Sequence, residues 1–124
     1  MSKSERAIEL YSTGMNCAQA VVAAYSEEIG VSEEHAAKLG SGFGAGMYSG
    51  DTCGAVAAAV AAIGLKHGGS SQEEKMKVIK ETQKYMDEFK KWGGTTNCLK
   101  LKTESGKRCA DIVKYSAKLL ENVL

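Results

Sequence analysis

Apolar residues recur at three- and four-residue steps through most of the chain, the spacing that places side chains on one face of an α-helix. The first such stripe consists of Ala7, Ile8, Leu10 and Tyr11, and it stops near Gly14. Proline is absent, and nowhere do β-branched residues alternate with polar ones for long enough to indicate a strand. The pattern therefore predicts an all-α fold.

Further helices are predicted where a capping residue precedes an apolar stripe and a glycine follows it. In chain order they run from Asn16 to Gly30, from Ser32 to the glycine-rich loop at Gly40, from Asp51 or Thr52 through CGAVAAAVAAIG, from Ser71 to Gly93, and from about Lys107 to Val123. Between the last two, the segment CLKL after Asn97 is predicted to form only a brief turn.

The alanine-rich segment is apolar on all sides, which is typical of a helix at the centre of a bundle. Its small side chains allow neighbouring helices to approach closely. No internal repeat or long linker divides the chain. We therefore expect residues 1–124 to form a single domain, a bundle of about five to six helices packed around the segment Ala55–Ile63.

Charge and composition exclude several classes of partner. The net charge is +1, so the chain has no strong field for nucleic acid or anionic lipid, and eight aromatic residues are too few for base-stacking platforms. The start, MSKSERAIEL, is charged where a secretory signal is apolar, and Ala55–Leu65 is far shorter than the roughly 20 residues that cross a bilayer. We expect a cytoplasmic protein that binds neither nucleic acid nor membranes.

Three of the four cysteines directly follow a capping residue: Asn16-Cys17, Thr52-Cys53 and Asn97-Cys98. At the first turn of a helix, free backbone N–H groups and the helix dipole favour a thiolate. Cys109 instead follows Arg108 on the apolar face of the last helix, where the guanidinium also favours the thiolate. The alternative is that these cysteines are small buried hydrophobic residues.

The motifs around the cysteines resemble a known family. Cys17 in GMNCAQAV, Cys53 in GDTCGAV after a glycine loop, Cys98 in NCLKL and Cys109 in RCADIV are similar, over nearly the whole chain, to the redox-active family written C-GCAxxG-C-C. The central motif of that family reads Cys-Gly-Ala-x-x-Gly, and here Ala58 stands in place of its last glycine.

The resemblance implies an all-helical fold and a redox role for the four cysteines. A similar module is associated with the split-Soret cytochromes, as their N-terminal part, and there the resemblance implies an iron–sulfur cluster. The haem-binding part of those proteins has no counterpart in this chain.

Five glycines precede Cys53, but their spacing fits neither common nucleotide-binding motif. We expect them to supply positive φ angles and to let the backbone pass close to the thiols, where its N–H groups can hydrogen-bond to sulfur. The backbone positions expected near the site are Gly44, Gly46, Gly50 and Gly54.

Four converging thiolates at Cys17, Cys53, Cys98 and Cys109 suit either of two kinds of chemistry. They can ligate an iron–sulfur cluster or another thiophilic metal for electron transfer, or they can cycle between dithiol and disulfide. We favour ligation, because four thiols without a C-x-x-C motif suit a ligand set better than an oxidoreductase. A third hypothesis is a non-catalytic helical interaction module with cysteines as packing residues. The sequence names no redox partner, and it leaves open any enzymatic activity, the cysteine pairing and a homo-oligomeric state.

Overall fold

The computed structural model describes all 124 residues and contains eight α-helices and no β-strand. The helices are α1 (Lys3–Ser12), α2 (Cys17–Ala24), α3 (Ser26–Ile29), α4 (Glu33–Gly40), α5 (Gly54–His67), α6 (Gln72–Gly93), α7 (Cys98–Thr103) and α8 (Cys109–Leu120). The all-α prediction is confirmed. None of these helices is both long and apolar enough to cross a membrane.

The structure has more helices than expected for two reasons. The helix predicted from Asn16 divides at Tyr25, whose buried side chain donates a hydrogen bond to the carbonyl oxygen of Ala117 at 2.6 Å. This anchor holds the break between α2 and α3 against α8. The segment after Asn97, predicted as a turn, is the six-residue helix α7, and the Asn97 side chain caps it.

The predicted caps Asn16, Ser32 and Ser71 each accept a hydrogen bond from the backbone three residues later. The cap expected at Asp51 or Thr52 is wrong. Helix α5 begins at Gly54, so Cys53 occupies the N-cap position. Backbone groups of the preceding residues instead pair with the segment before α7, in an isolated antiparallel bridge between Thr52 and Asn97.

Helix α5 packs most extensively against α2 and also contacts α6 and α8. Its buried face includes Ala55, Ala59 and Ile63, which belong to a single hydrophobic core. The predicted central position of this helix agrees with these contacts, although Ala57 is half-buried and Leu65 is exposed. The bundle leaves one face of its central helix at the surface.

The buried hydroxyl of Ser116 links α5, α6 and α8. It donates a hydrogen bond to the carbonyl oxygen of Ala55 at 3.0 Å, and it lies 2.7 Å from the hydroxyl of Tyr85. Both side chains are fully buried. Because a buried polar group that loses its partner is costly, this hydroxyl fixes how the three helices pack.

We predict that Ser116→Ala lowers the free energy of unfolding by about 1–3 kcal/mol, because the Tyr85 hydroxyl then loses its buried partner. Urea unfolding followed by circular dichroism measures the change. Ser70→Ala is the matched control, since Ser70 is exposed. Equal stability of the two variants would contradict the role given to Ser116.

Candidate functional site

All four cysteines line one cavity of about 460 Å³. Each lies at the start of a different helix: Cys17, Cys98 and Cys109 are the first residues of α2, α7 and α8, and Cys53 immediately precedes α5. All four are free thiols; Cys53 and Cys98 are buried, whereas Cys17 and Cys109 are half-buried. The bundle thus brings four helix N-termini, distant in sequence, to the same cavity.

The position of Cys109 differs from the expectation. The last helix begins at Cys109 itself, so this residue also lies at a helix start. The guanidinium of Arg108 is exposed and pairs with Asp111, its Nε lying 3.0 Å from the Asp111 Oδ2. The polar side chains that share the cavity wall with Cys109 include Lys102 and Tyr11. Negative charge on Cys109 raises the pKa of Lys102, and burial together with that charge raises the pKa of Tyr11.

Lys102 and Tyr11 both line the cavity, and the sequence analysis missed both. The one available signal for Lys102 is its place four residues after Cys98 on the same helix, which puts the two side chains on one face. Tyr11 belongs to the apolar stripe of α1 and therefore resembles a core residue. Their placement on the same cavity wall as Cys109 depends on the packing of separate helices.

Two reciprocal backbone hydrogen bonds join the segments that carry Cys53 and Cys98. The amide of Cys53 donates to the carbonyl oxygen of Thr96 at 2.8 Å, and the amide of Cys98 donates to that of Asp51 at 2.6 Å. Because backbone atoms carry these bonds, the two segments that carry the cysteines are held together regardless of the state of the thiols.

The four glycines expected near the site differ in how closely other atoms approach them. A Cβ atom at Gly54 would lie 2.7 Å from the Cys17 sulfur, and one at Gly46 would lie 2.8 Å from the Cys98 Cβ. A Cβ atom at Gly44 would likewise lie 2.8 Å from the Asn16 Nδ2. Gly50 adopts a positive φ of 72°, and a Cβ atom there would only reach ordinary contact distance, 3.9 Å from the Leu99 Cβ. In this glycine-rich loop, the residue that lines the cavity is Ala45, which lies between Gly44 and Gly46.

Residues 45–48 form a left-handed turn that the sequence analysis did not predict. Three of them are not glycine: Ala45, Met47 and Tyr48 have φ values of 48°, 60° and 54°. This conformation costs roughly 1–2 kcal/mol for each such residue. Hydrogen bonds to the Gly46 carbonyl from the Asp51 amide and the Ser49 hydroxyl hold the turn closed.

Burial raises the pKa of the Cys17 thiol, and it raises the pKa of the Cys53 thiol to about 11. Backbone N–H groups of Ala45 and Ala18 at Cys17, and of Val56 and Ala55 at Cys53, oppose this change but are weaker. The expectation that helix N-termini keep these two thiols ionised is therefore wrong. Negative charge on Cys109 and Cys98 raises the pKa of Lys102, which stays a cation beside the cavity.

The cysteines are spread around the cavity wall. Nowhere in the chain do three His, Cys, Asp or Glu side chains form a group that could hold one metal ion. The four thiols on this wall are nevertheless soft ligands, and Lys102 adds a positive charge beside them. Such donors suit thiophilic metals and redox chemistry.

Comparison with known proteins gives one match. The model of the family described as "Putative redox-active protein (C_GCAxxG_C_C)" matches residues 15–123, which include all four cysteines. No curated protein and no solved structure matches the chain.

We predict that at pH 8 the Cys53 thiol of the metal-free folded protein reacts with iodoacetamide at least about 100-fold more slowly than in the unfolded chain. The reason is that a pKa of about 11, rather than 9.0, lowers the fraction of Cys53 present as thiolate. The rate should rise as the pH approaches 11. Mass spectrometry of proteolytic fragments measures it, with protein in guanidinium chloride as the control. Similar rates in folded and unfolded protein would contradict the prediction.

We also predict that Gly54→Ala destabilises the protein by about 1–3 kcal/mol and changes the alkylation rate of Cys17, because the new methyl group meets the Cys17 sulfur. Gly64→Ala in the same helix is the matched control, since its Cβ would enter open space. The control should gain up to about 1 kcal/mol of stability from the helix propensity of alanine. Urea unfolding of both variants checks this, and equal effects would refute the close contact at Gly54.

Proposed function

The chain belongs to this four-cysteine family of redox-active proteins, and on that premise we propose that it is a one-electron carrier. Cys17, Cys53, Cys98 and Cys109 would hold an iron–sulfur cluster in the cavity that they line. The observation that carries the proposal is the shared cavity itself, whose wall holds every cysteine of the chain.

The arrangement of the thiols favours a cluster over a single ion. One tetrahedral ion requires its ligand sulfurs to meet around a single point, at metal–sulfur distances of roughly 2.3 Å. A cluster divides four cysteines among several irons, so its ligands lie farther apart. Four thiols spread over one cavity wall fit the second requirement better.

Proton release accompanies ligation in this proposal. Only thiolates bind iron, and burial raises the pKa of both Cys17 and Cys53, so these ligands carry protons at neutral pH before metal binds. Loading therefore becomes more favourable as the pH rises. The positive charge of the metal replaces the protons, which lets a buried site accept several thiolates.

Side chains and backbone amides around the cavity would set the reduction potential of the cluster. When bound, the cluster would take up and release single electrons. Lys102 would place a positive charge, and Tyr11 a hydroxyl donor, on the wall that Cys109 shares, and the Ala45 amide would donate to the Cys17 sulfur. Hydrogen bonds and positive charge at ligand sulfurs favour the reduced state, so these groups would raise the reduction potential.

The two other hypotheses have less support. Thiol–disulfide exchange starts from an accessible thiolate, whereas Cys53 is buried with a raised pKa. A pure packing role does not explain why Cys17 and Cys109 are half-buried and face the same cavity as Lys102.

We propose a reducing compartment such as the cytoplasm, because there thiols remain available as ligands.

We predict that anaerobic reconstitution with iron and sulfide gives a brown protein with visible sulfur-to-iron absorption, and that each single Cys→Ser variant loses most bound iron. Each variant removes one ligand. Met76→Leu is the matched control, because it removes an exposed sulfur on α6 and should load like the parent.

Absorption spectra with iron and sulfide analysis distinguish the hypotheses. A colourless, iron-free protein that forms a reversible disulfide would overturn the cluster in favour of exchange. The third outcome is a parent protein that neither binds iron nor forms a disulfide. If its Cys→Ser variants then lose stability, a packing role is favoured.

A further inference from the structure

The four thiols of the cavity differ in how far solvent reaches them. Cys17 and Cys109 are half-buried, whereas Cys53 and Cys98 are only 3% and 7% exposed. The cavity, at about 460 Å³, is within the size range of sites that admit small molecules. A small reagent that enters the cavity therefore meets Cys17 and Cys109 first.

The two half-buried thiols lie on helices that pack together. Cys17 is the first residue of α2 and Cys109 is the first residue of α8, and these helices are in contact. Burial is the main cause that raises the pKa of Cys17, and negative charge on Cys109 comes next, ahead of negative charge on Cys98. Because the effect of a charge weakens with distance, Cys109 lies nearer to Cys17 than Cys98 does.

The start of α8 is less restrained than the segments that carry the buried cysteines. Reciprocal backbone hydrogen bonds tie those two segments to each other. The residue before Cys109, Arg108, makes no capping hydrogen bond through its side chain. Gly106, three residues before Cys109, has a φ of 64° and no other atom within 4 Å of the position of a Cβ. The first turn of α8 therefore has room to bring Cys109 toward Cys17.

We propose that Cys17 and Cys109 form a reversible disulfide in the metal-free protein, by exchange with a low-molecular-weight disulfide that enters the cavity. The bond removes two of the four ligands, so the protein accepts a cluster only where such disulfides are kept reduced. The inference rests on the proposed function, because it states what controls the loading of that site.

The exchange takes two steps, and Cys109 reacts first because Gly54 covers the Cys17 sulfur on one side. The Cys109 thiolate attacks one sulfur of the small disulfide, which forms a mixed disulfide and releases one small thiolate. The Cys17 thiolate then attacks the Cys109 sulfur, so the Cys17–Cys109 bond forms and the second small thiolate leaves. In total, two protein thiols lose two electrons and two protons, and the small disulfide is reduced to two thiols.

The test exposes reduced, metal-free protein to glutathione disulfide without oxygen, near neutral pH, and then blocks the remaining thiols with iodoacetamide. Trypsin cleaves after lysine and arginine and therefore places the four cysteines on separate fragments, so mass spectrometry without reduction identifies the bond. We expect the Cys17–Cys109 bond to predominate over every other pairing, and a thiol reductant to reverse it.

Protein that already holds a cluster is the second sample. The disulfide and the cluster exclude each other, because both use the sulfur atoms of Cys17 and Cys109. Loaded protein should therefore form the bond at least about 10-fold more slowly than metal-free protein at the same concentration of glutathione disulfide.

Two variants separate this pair from the remaining thiols. Cys109→Ser should form no internal disulfide. Cys53→Ser is the matched control: it removes a ligand of the proposed cluster, but it should form the Cys17–Cys109 bond at a rate within about 2-fold of the parent. Circular dichroism confirms that both variants are folded.

The inference is overturned if another pair predominates, if only mixed disulfides form, if Cys53→Ser also loses the bond, or if loaded protein reacts as fast as metal-free protein. Protein that holds a cluster but never forms the bond removes this inference alone. Protein that forms the bond but cannot be loaded with iron removes the cluster proposal and retains the pair.

Discussion

The cysteine site depends on the two backbone hydrogen bonds that tie the segment before α5 to the segment before α7. They hold the segments that carry Cys53 and Cys98 together through main-chain atoms alone. Packing of α2 and α8 against α5 then adds Cys17 and Cys109 to the same cavity. Gly54 makes this arrangement sterically feasible, because any side chain there would collide with the Cys17 sulfur. A small bundle can thereby assemble four thiols from distant parts of its sequence.

Burial and helix N-termini act on the same sulfurs in opposite directions. The free N–H groups at a helix start favour a thiolate, whereas removal from water favours the neutral thiol. At Cys17 and Cys53 burial is the stronger effect. Protonated, shielded thiols resist oxidation. In the proposed cluster-bound state the N-terminal position would have a different use, since amides near the sulfurs would hydrogen-bond to ligands already ionised by metal.

Much of this architecture follows from local patterns in the sequence. Apolar spacing and the caps at Asn16, Ser32 and Ser71 predict most helices, because helix boundaries depend on nearby residues. The break at Tyr25 is set by a contact with α8, and the shift of the α5 cap from Asp51 or Thr52 to Cys53 is set by pairing with the segment before α7. For the same reason the roles of Lys102 and Tyr11 emerge only in three dimensions. The left-handed turn contradicts local preference, since alanine, methionine and tyrosine all disfavour positive φ.

The central claim is that four thiols from four helices act as one ligand set. X-ray absorption at the iron edge of the anaerobically loaded protein tests it most directly, because the method identifies the atoms around iron. The account predicts a first shell made of sulfur alone, together with an iron–iron distance that only a cluster produces. Iron bound by oxygen or nitrogen, or a spectrum without any iron–iron distance, would contradict it.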